Sequence, residues 1–259
     1  MNGGEGLDYF KELFYWFIAL LYPRAIVCMY CKAELSDINE YSLCSACIDG
    51  LEFVSAIERP SCCKCGKSLG FYYGLDICVN CSNSLHYFDK GFVVLNYNDI
   101  SRQLLFSYKY NNKRFIGIHL GEMLYDKLSV EGILETIDYV CAVPVHKKRL
   151  KERGFNQAAL LAETLVKLAC SNYQLGYCDL LVRDVHTESQ NKIGREKRKD
   201  NVQNAFSLKN GYKTSIYGKN ILIVDDIYTT GATMNACAKV LKLNGAKQVF
   251  MAAIAAGEN

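Results

Sequence analysis

The sequence predicts a doubly wound, parallel α/β domain behind a small cysteine-rich region that holds metal. Three observations carry that expectation. Strand-like and helix-like patterns alternate from about residue 86 onward. Ile221-Leu222-Ile223-Val224 runs straight into Asp225-Asp226 and then into a hydroxyl- and glycine-rich turn. Nine of the 13 cysteines fall between residues 28 and 81, most of them in Cys-x-x-Cys pairs.

A chain of 259 residues, half of them hydrophobic, can build one large or two smaller domains. Its net charge of +3 is too small to argue for nucleic acid by itself. No apolar run reaches about 18 residues, so no membrane span is expected. Leu7, Phe10, Leu13, Phe14, Phe17, Ile18 and Leu21 recur at helical spacing. Glu5, Asp8 and Glu12 flank this stretch, with neither a basic leader nor a small-residue cleavage site. Residues 1–25 are therefore expected to form a docking helix, 26–85 the cysteine region and 86–259 the α/β domain.

The cysteine spacing is an internal repeat. Cys28-x-x-Cys31 and Cys44-x-x-Cys47 have 12 residues between them, as do Cys62-x-x-Cys65 and Cys78-x-x-Cys81. A shift of 34 carries each cysteine of the first quartet onto one of the second, and Leu35 onto Leu69. Four thiolates on two such knuckles suit tetrahedral zinc and leave no open position, so both sites should be structural. Modules this small cannot bury enough core alone, and zinc supplies the missing folding energy. A disulfide framework needs an oxidising compartment, and no export signal is evident. Cys63 lies inside the third knuckle, but only Cys62 gives the two-residue gap. Cys141, Cys170, Cys178 and Cys237 lie in apolar contexts and are expected to be inert core thiols.

Strands are expected at 92–97, 137–145, 177–181, 221–224 and 248–253, and helices at 98–110, 114–128, 156–170 and 231–243. Asn244-Gly245 stops the last helix. Asp225 and Asp226 are expected at the end of their strand, where open α/β sheets bind ligands. Carboxylates there can accept hydrogen bonds from two ribose hydroxyls. Thr229-Thr230-Gly231-Ala232-Thr233 adds hydroxyls and a bare backbone at a helix start, a ready anion site. Between residues 147 and 153 stand Lys147, Lys148, Arg149, Lys151 and Arg153. Such a loop at a strand-to-helix crossing can hold pyrophosphate. Arg183, Thr187, Gln190, Arg198 and Asn201 mark a polar segment expected to form a flap.

The stretch 221–233 resembles the phosphoribosyl-pyrophosphate (PRPP) motif of the type I phosphoribosyltransferases: four hydrophobics, two acids, a spacer, then Thr-Thr-Gly-x-Thr. Arg153-Gly154-Phe155-Asn156-Gln157 precedes it, followed by Thr187, Gln190, Arg198, Asn201 and Ala205-Phe206. In that order, behind paired cysteine knuckles, these motifs resemble the ComF family. Its members couple a zinc module, here in the double-ribbon form, to a phosphoribosyltransferase-like domain. Cys63 and Glu188 are the departures from the pattern.

The resemblance implies a bacterial, cytoplasmic protein associated with DNA uptake in natural competence. It implies binding of PRPP with Mg²⁺, and transfer of ribose 5-phosphate to a nucleophile if the protein is active. Asp225 and Asp226 would hold ribose hydroxyls or the metal's waters. Lys147 and Arg149, with Arg153, would stabilise pyrophosphate, and His146 and Arg198 would join the PRPP contacts. Thr229, Thr230, Gly231, Ala232 and Thr233 would hold the 5-phosphate. The acceptor is left open. The alternative is a non-catalytic protein that senses PRPP or binds single-stranded DNA, with Tyr30, Phe71, Tyr72 and Tyr73 as stacking surfaces. A competence helicase is the candidate protein partner.

Overall fold

The computed structural model describes residues 27–35, 41–54, 60–70, 76–110, 113–183 and 205–257. The expected docking helix, the stacking residues Phe71, Tyr72 and Tyr73, and the polar segment with Arg198 lie outside the described residues. Two compact units emerge, Met1–Gly50 and Leu51–Asn259. The first carries one cysteine quartet and the short helix α1 (Ser45–Asp49). The second carries the other quartet, helix α2 (Val79–Ser82) and the whole α/β domain. Among the described residues no helix is long and apolar enough to cross a membrane.

The α/β domain runs β1 (Lys90–Asn96), α3 (Asp99–Tyr110), α4 (Arg114–Val130), a 3₁₀ turn, β2 (Tyr139–Ala142), α5 (Lys147–Arg153), α6 (Gln157–Ala169) and β3 (Gly176–Tyr177). It continues through β4 (Leu181–Arg183), β5 (Phe206–Leu208), β6 (Asn220–Tyr228), α7 (Ala232–Leu243) and β7 (Gln248–Ala256). Five strands form one parallel sheet in the order β1-β7-β6-β2-β3. β1 and β7 are buried along their length apart from Lys90 and Gln248, as strands covered on both faces should be.

The connections fix where a ligand can sit. The steps from β1 to β2 and from β2 to β3 cross the sheet in one direction, and that from β6 to β7 in the other. Right-handed crossovers then put α4 and α6 on one face and α7 on the opposite one. α4 and α6 pack closely: a Cβ on Gly121 would meet the Thr164 methyl at 2.6 Å. The direction reverses between β6 and β2, and a crevice opens beyond their carboxyl ends.

Several expectations shift in detail. The strand expected at 137–145 pairs only over Tyr139–Ala142, because Pro144 has no N–H for a ladder. The basic segment 147–153 is a short exposed helix, not a loop, with the His146 ring accepting from the Lys148 N–H at its start. β6 does not end at Val224; Asp225, Ile227 and Tyr228 still pair with β7. β5 pairs antiparallel with β4 in a small separate ribbon that no sequence pattern signalled. Cys141 and Cys237 are buried as expected, but Cys178 is only partly buried and Cys170 is exposed. Cys170 caps the end of α6, past the buried face that its neighbours suggested.

Candidate functional site

β6 is paired on one side only once it passes Val224. Its last partner on the β2 side is Ala142, after which the Val143 N–H reaches the Val224 carbonyl at 2.9 Å. Beyond that point β2 turns away into Pro144 and α5, while β7 stays in register to Tyr228. The Asp226 N–H is taken instead by its neighbour's carboxylate, Asp225 Oδ1, at 2.9 Å. The two acids therefore lie within the strand, at the mouth of the crevice.

Asp226 is buried and paired: Lys109 Nζ lies 2.9 Å from its Oδ1. Lys109 comes from the last turn of α3. That turn is anchored by Tyr108, fully buried, whose hydroxyl donates to the Gln157 carbonyl at 2.8 Å. Burial, then the adjacent Asp226 charge, pushes the Asp225 carboxyl up to about 7, against the pull of Lys109 and Arg183. Arg183 in β4 feels both Asp225 and Arg149; its own burial, then Arg149, lowers it below the usual guanidinium range. Arg149 and Asp225 thus both act electrostatically on Arg183, whereas Lys147 and Lys148 are exposed on α5.

Arg153 is held by Gln157 Oε1 at 3.1 Å and lies 5.4 Å over the Tyr110 ring. A cleft of about 310 Å³ lies here, lined by Lys109, Tyr110, Lys151, Glu152, Arg153 and Gly154. The segment 153–157 is the joint between α5 and α6. Gly154 ends α5 at φ 74°. Asn156 accepts from the Ala158 N–H at 3.1 Å and donates to the Val143 carbonyl at 3.1 Å, fixing α6 to the end of β2.

After β6, Thr229 and Thr230 are exposed and Gly231 turns the chain into α7 at φ 76°. Glycine is required there twice over. The left-handed backbone disfavours a side chain, and a Cβ would meet the Tyr228 hydroxyl at 2.3 Å. The first turn of α7, with Ala232 and Thr233, presents N–H groups that have no partner within the helix. Sequence reasoning missed Lys109 and also Lys67, whose ammonium donates to the Thr229 carbonyl at 2.9 Å. The signal for Lys109 was its place on the flank of the apolar face formed by Leu104, Leu105 and Tyr108.

Each cysteine quartet closes into a cluster whose four sulfurs all lie within 4.8 Å of one another. Cys31 and Cys44 Sγ are 3.7 Å apart, as are Cys65 and Cys78 Sγ. A disulfide needs about 2.05 Å. Tetrahedral zinc with bonds of about 2.3 Å sets its sulfurs about 3.8 Å apart, so both clusters fit zinc. Hydrogen bonds from Cys65 and Cys81 draw the Cys62 thiol far below its ordinary range, while those to Cys62 and Cys65 push Cys81 far above. The sulfurs thus share protons among themselves, and zinc, which takes thiolates, would replace those protons on binding.

Comparison with known proteins agrees with this architecture. Residues 153–259 match the family model of the phosphoribosyl transferase domain, and residues 17–82 that of the double zinc ribbon domain. Competence protein F of Haemophilus influenzae is 29% identical over 228 residues, spanning 86% of this chain and 93% of that protein. The chain is a ComF homologue. ComF relatives extend to the DNA utilization protein YhgH of Escherichia coli, 26% identical over 227 residues, 86% of this chain and 93% of that protein. Competence protein ComFC of Streptococcus pneumoniae is 26% identical over 238 residues, 86% of this chain and 96% of that protein. Among solved structures, a glutamine PRPP amidotransferase from B. subtilis aligns over 53% of this chain and 25% of its own. The two are 17% identical there, with a TM-score of 0.34.

Proposed function

We propose that the crevice between β6 and β2 binds PRPP with Mg²⁺, in a cytoplasmic protein that serves DNA uptake. The observation that carries this reading is one juxtaposition at the switch point. Two adjacent carboxylates, Asp225 and Asp226, lie near the end of β6 just ahead of the open N-terminus of α7, and Asp225 feels the charge of Arg183, which in turn feels Arg149. In this reading the Thr229–Thr233 turn takes the 5-phosphate, and Arg149, Lys147 and Arg153 receive pyrophosphate. His146 sets the start of α5, and the role given to Arg198 rests on the family resemblance alone.

The donor set suits magnesium. Hard carboxylate oxygens, one of them held up to about 7 by burial and the neighbouring Asp226, are what Mg²⁺ takes alongside substrate phosphates. When bound, Mg²⁺ supplies charge neutralisation for departing pyrophosphate. In a transfer, the bond from ribose C1 to the pyrophosphate oxygen breaks and one to the acceptor forms. Asp225 and Asp226 would hold the ribose hydroxyls and, as anions, favour the cationic character that develops on the ring. Lys109 would move off Asp226 towards the phosphates as the hydroxyls arrive.

A second reading has its own support. Phe106 and Tyr110 are 59% and 60% exposed, their rings 4.8 Å apart on one face of α3, beside Lys109, Lys151 and Arg153. Aromatic steps beside cations suit single-stranded DNA. The test is calorimetry with PRPP and Mg²⁺ on the wild type and on Asp225→Asn/Asp226→Asn. The wild type should bind and the variant lose about a hundredfold or more. A wild type without affinity for PRPP overturns the first reading. Salt-sensitive binding of an oligonucleotide, lost in Phe106→Ala/Tyr110→Ala, supports the second.

A further inference from the structure

The second cysteine module is built against the phosphate turn, and one side chain makes the connection. The two modules close the same way. The Cys28 N–H donates to the Ala33 carbonyl at 2.7 Å, and the Cys62 N–H to the Lys67 carbonyl at 2.7 Å. The Lys32 N–H donates to the Cys28 carbonyl at 3.1 Å, and the Gly66 N–H to the Cys62 carbonyl at 2.8 Å. Val27 bridges Glu34 as Ser61 bridges Ser68. The knuckle therefore needs only the backbone at positions 33 and 67, and alanine satisfies it in the first module.

Lysine at 67 is then an expense the knuckle does not require. It is 4% exposed, and a buried ammonium is costly unless something receives it. What receives it is the phosphate turn, 162 residues away in sequence. Its Nζ donates to the Thr229 carbonyl at 2.9 Å and stands 5.2 Å over the Tyr228 ring. The Tyr228 hydroxyl in turn fills the space that a Cβ on Gly231 would need. Lys67 thus holds the start of the Tyr228–Gly231 turn directly, and its far end only through the Tyr228 ring.

Two consequences follow from elementary chemistry. In a trans peptide the carbonyl and the next N–H point in opposite directions, so pinning the Thr229 carbonyl aims the Thr230 N–H away from Lys67. An ammonium on that carbonyl also polarises the peptide and makes its N–H a better donor. Among the described residues no carboxylate pairs with this ammonium, so its charge is left to act on whatever anion the turn receives.

We infer that Lys67 is a positioning residue for the phosphate-binding turn, and that the second zinc ribbon is thereby a working part of the PRPP site. The inference rests on the PRPP reading for its ligand but not for the contact itself. Three measurements on full-length protein test it: zinc content, hydrogen exchange of the peptide spanning 226–234, and PRPP·Mg²⁺ affinity. Lys67→Met should keep both zinc ions, exchange faster across the turn and bind PRPP about ten- to a hundredfold more weakly, with Lys67→Arg recovering much of the loss. Unchanged exchange and unchanged affinity in Lys67→Met overturn the inference. Faster exchange in Lys67→Met with no PRPP binding by the wild type upholds the positioning role and removes the ligand reading instead. Should Lys67→Met lose zinc, Lys67→Gln, which keeps a donor without the charge, decides on the same readouts.

Discussion

The first cysteine module places Lys32 at φ 66°, its ammonium looping back to the Met29 carbonyl at 2.8 Å. The second, 34 residues on, places Gly66 at φ 75°. Both turns adopt the same left-handed backbone, yet one tolerates lysine and the other does not. The reason lies outside the turn. A Cβ on Gly66 would meet the Gly91 carbonyl oxygen at 2.4 Å, because this knuckle sits backbone to backbone on β1. The Gly91 N–H closes the seat on the Lys64 carbonyl at 2.8 Å. The cysteines differ in step: Cys31 is exposed and Cys44 partly so, whereas Cys62, Cys65, Cys78 and Cys81 are all buried. Sulfur spacing and turn hydrogen bonds record the metal. The residues between the sulfurs record the company each module keeps.

The contrast is sharpest when a ligand is removed. Cys65→Ser should abolish cooperative folding of the unit from Leu51 onward, since binding energy at such a site is folding energy. Cys31→Ser should leave that unit's melting transition within about 2 °C of the wild type. Equal losses of the main calorimetric transition in the two variants would break the comparison.

A smaller effect separates the two turns. Gly66→Ala should cost about 2–5 kcal/mol, combining left-handed strain with overpacking against Gly91. Lys32→Gly should stay within about 1 kcal/mol, strain relieved offsetting chain entropy gained in the unfolded state. Urea denaturation of each variant decides.

The crevice that the second module braces has its own cost, and pH exposes it. With Asp225 held up to about 7 in the folded protein and near 3.9 unfolded, the folded state binds the extra proton between those values. Stability therefore falls as pH rises from about 4 to 7 and is flat above. Asp225→Asn removes that penalty, so its advantage over the wild type should grow by about 1–3 kcal/mol from pH 4 to pH 8. An advantage that is constant across the series would contradict the raised carboxyl.

Least of all, Lys67→Ala writes the first module's residue into the second. It should cost about 1–2 kcal/mol of stability, while Ala33→Lys should cost nothing measurable in a melt.

The sequence made some of this legible and not the rest, for physical reasons. Strands covered on both faces are apolar throughout, so β6 and β7 stood out. The cysteine repeat was legible because ligand spacing is local. The end of β6 was misjudged because pairing belongs to two strands: Asp225 has lost β2 and kept β7, and no local pattern says so. Lys109 and Lys67 act on Asp226 and Thr229 from far along the chain, where periodicity is silent. Yet one signal lay in plain view. Aligning the two modules on their cysteines sets Lys67 beside Ala33, and a long cation where alanine suffices asks for a partner.

The contact of Gly66 with Gly91 bears on how such a protein could be assembled and reassembled over generations. A part joined through side chains can be traded and repacked by compensating substitutions. One joined main chain to main chain offers nothing to compensate with, since neither partner has an atom left to give up. The second ribbon and the sheet beneath it are therefore bound to change together, backbone with backbone.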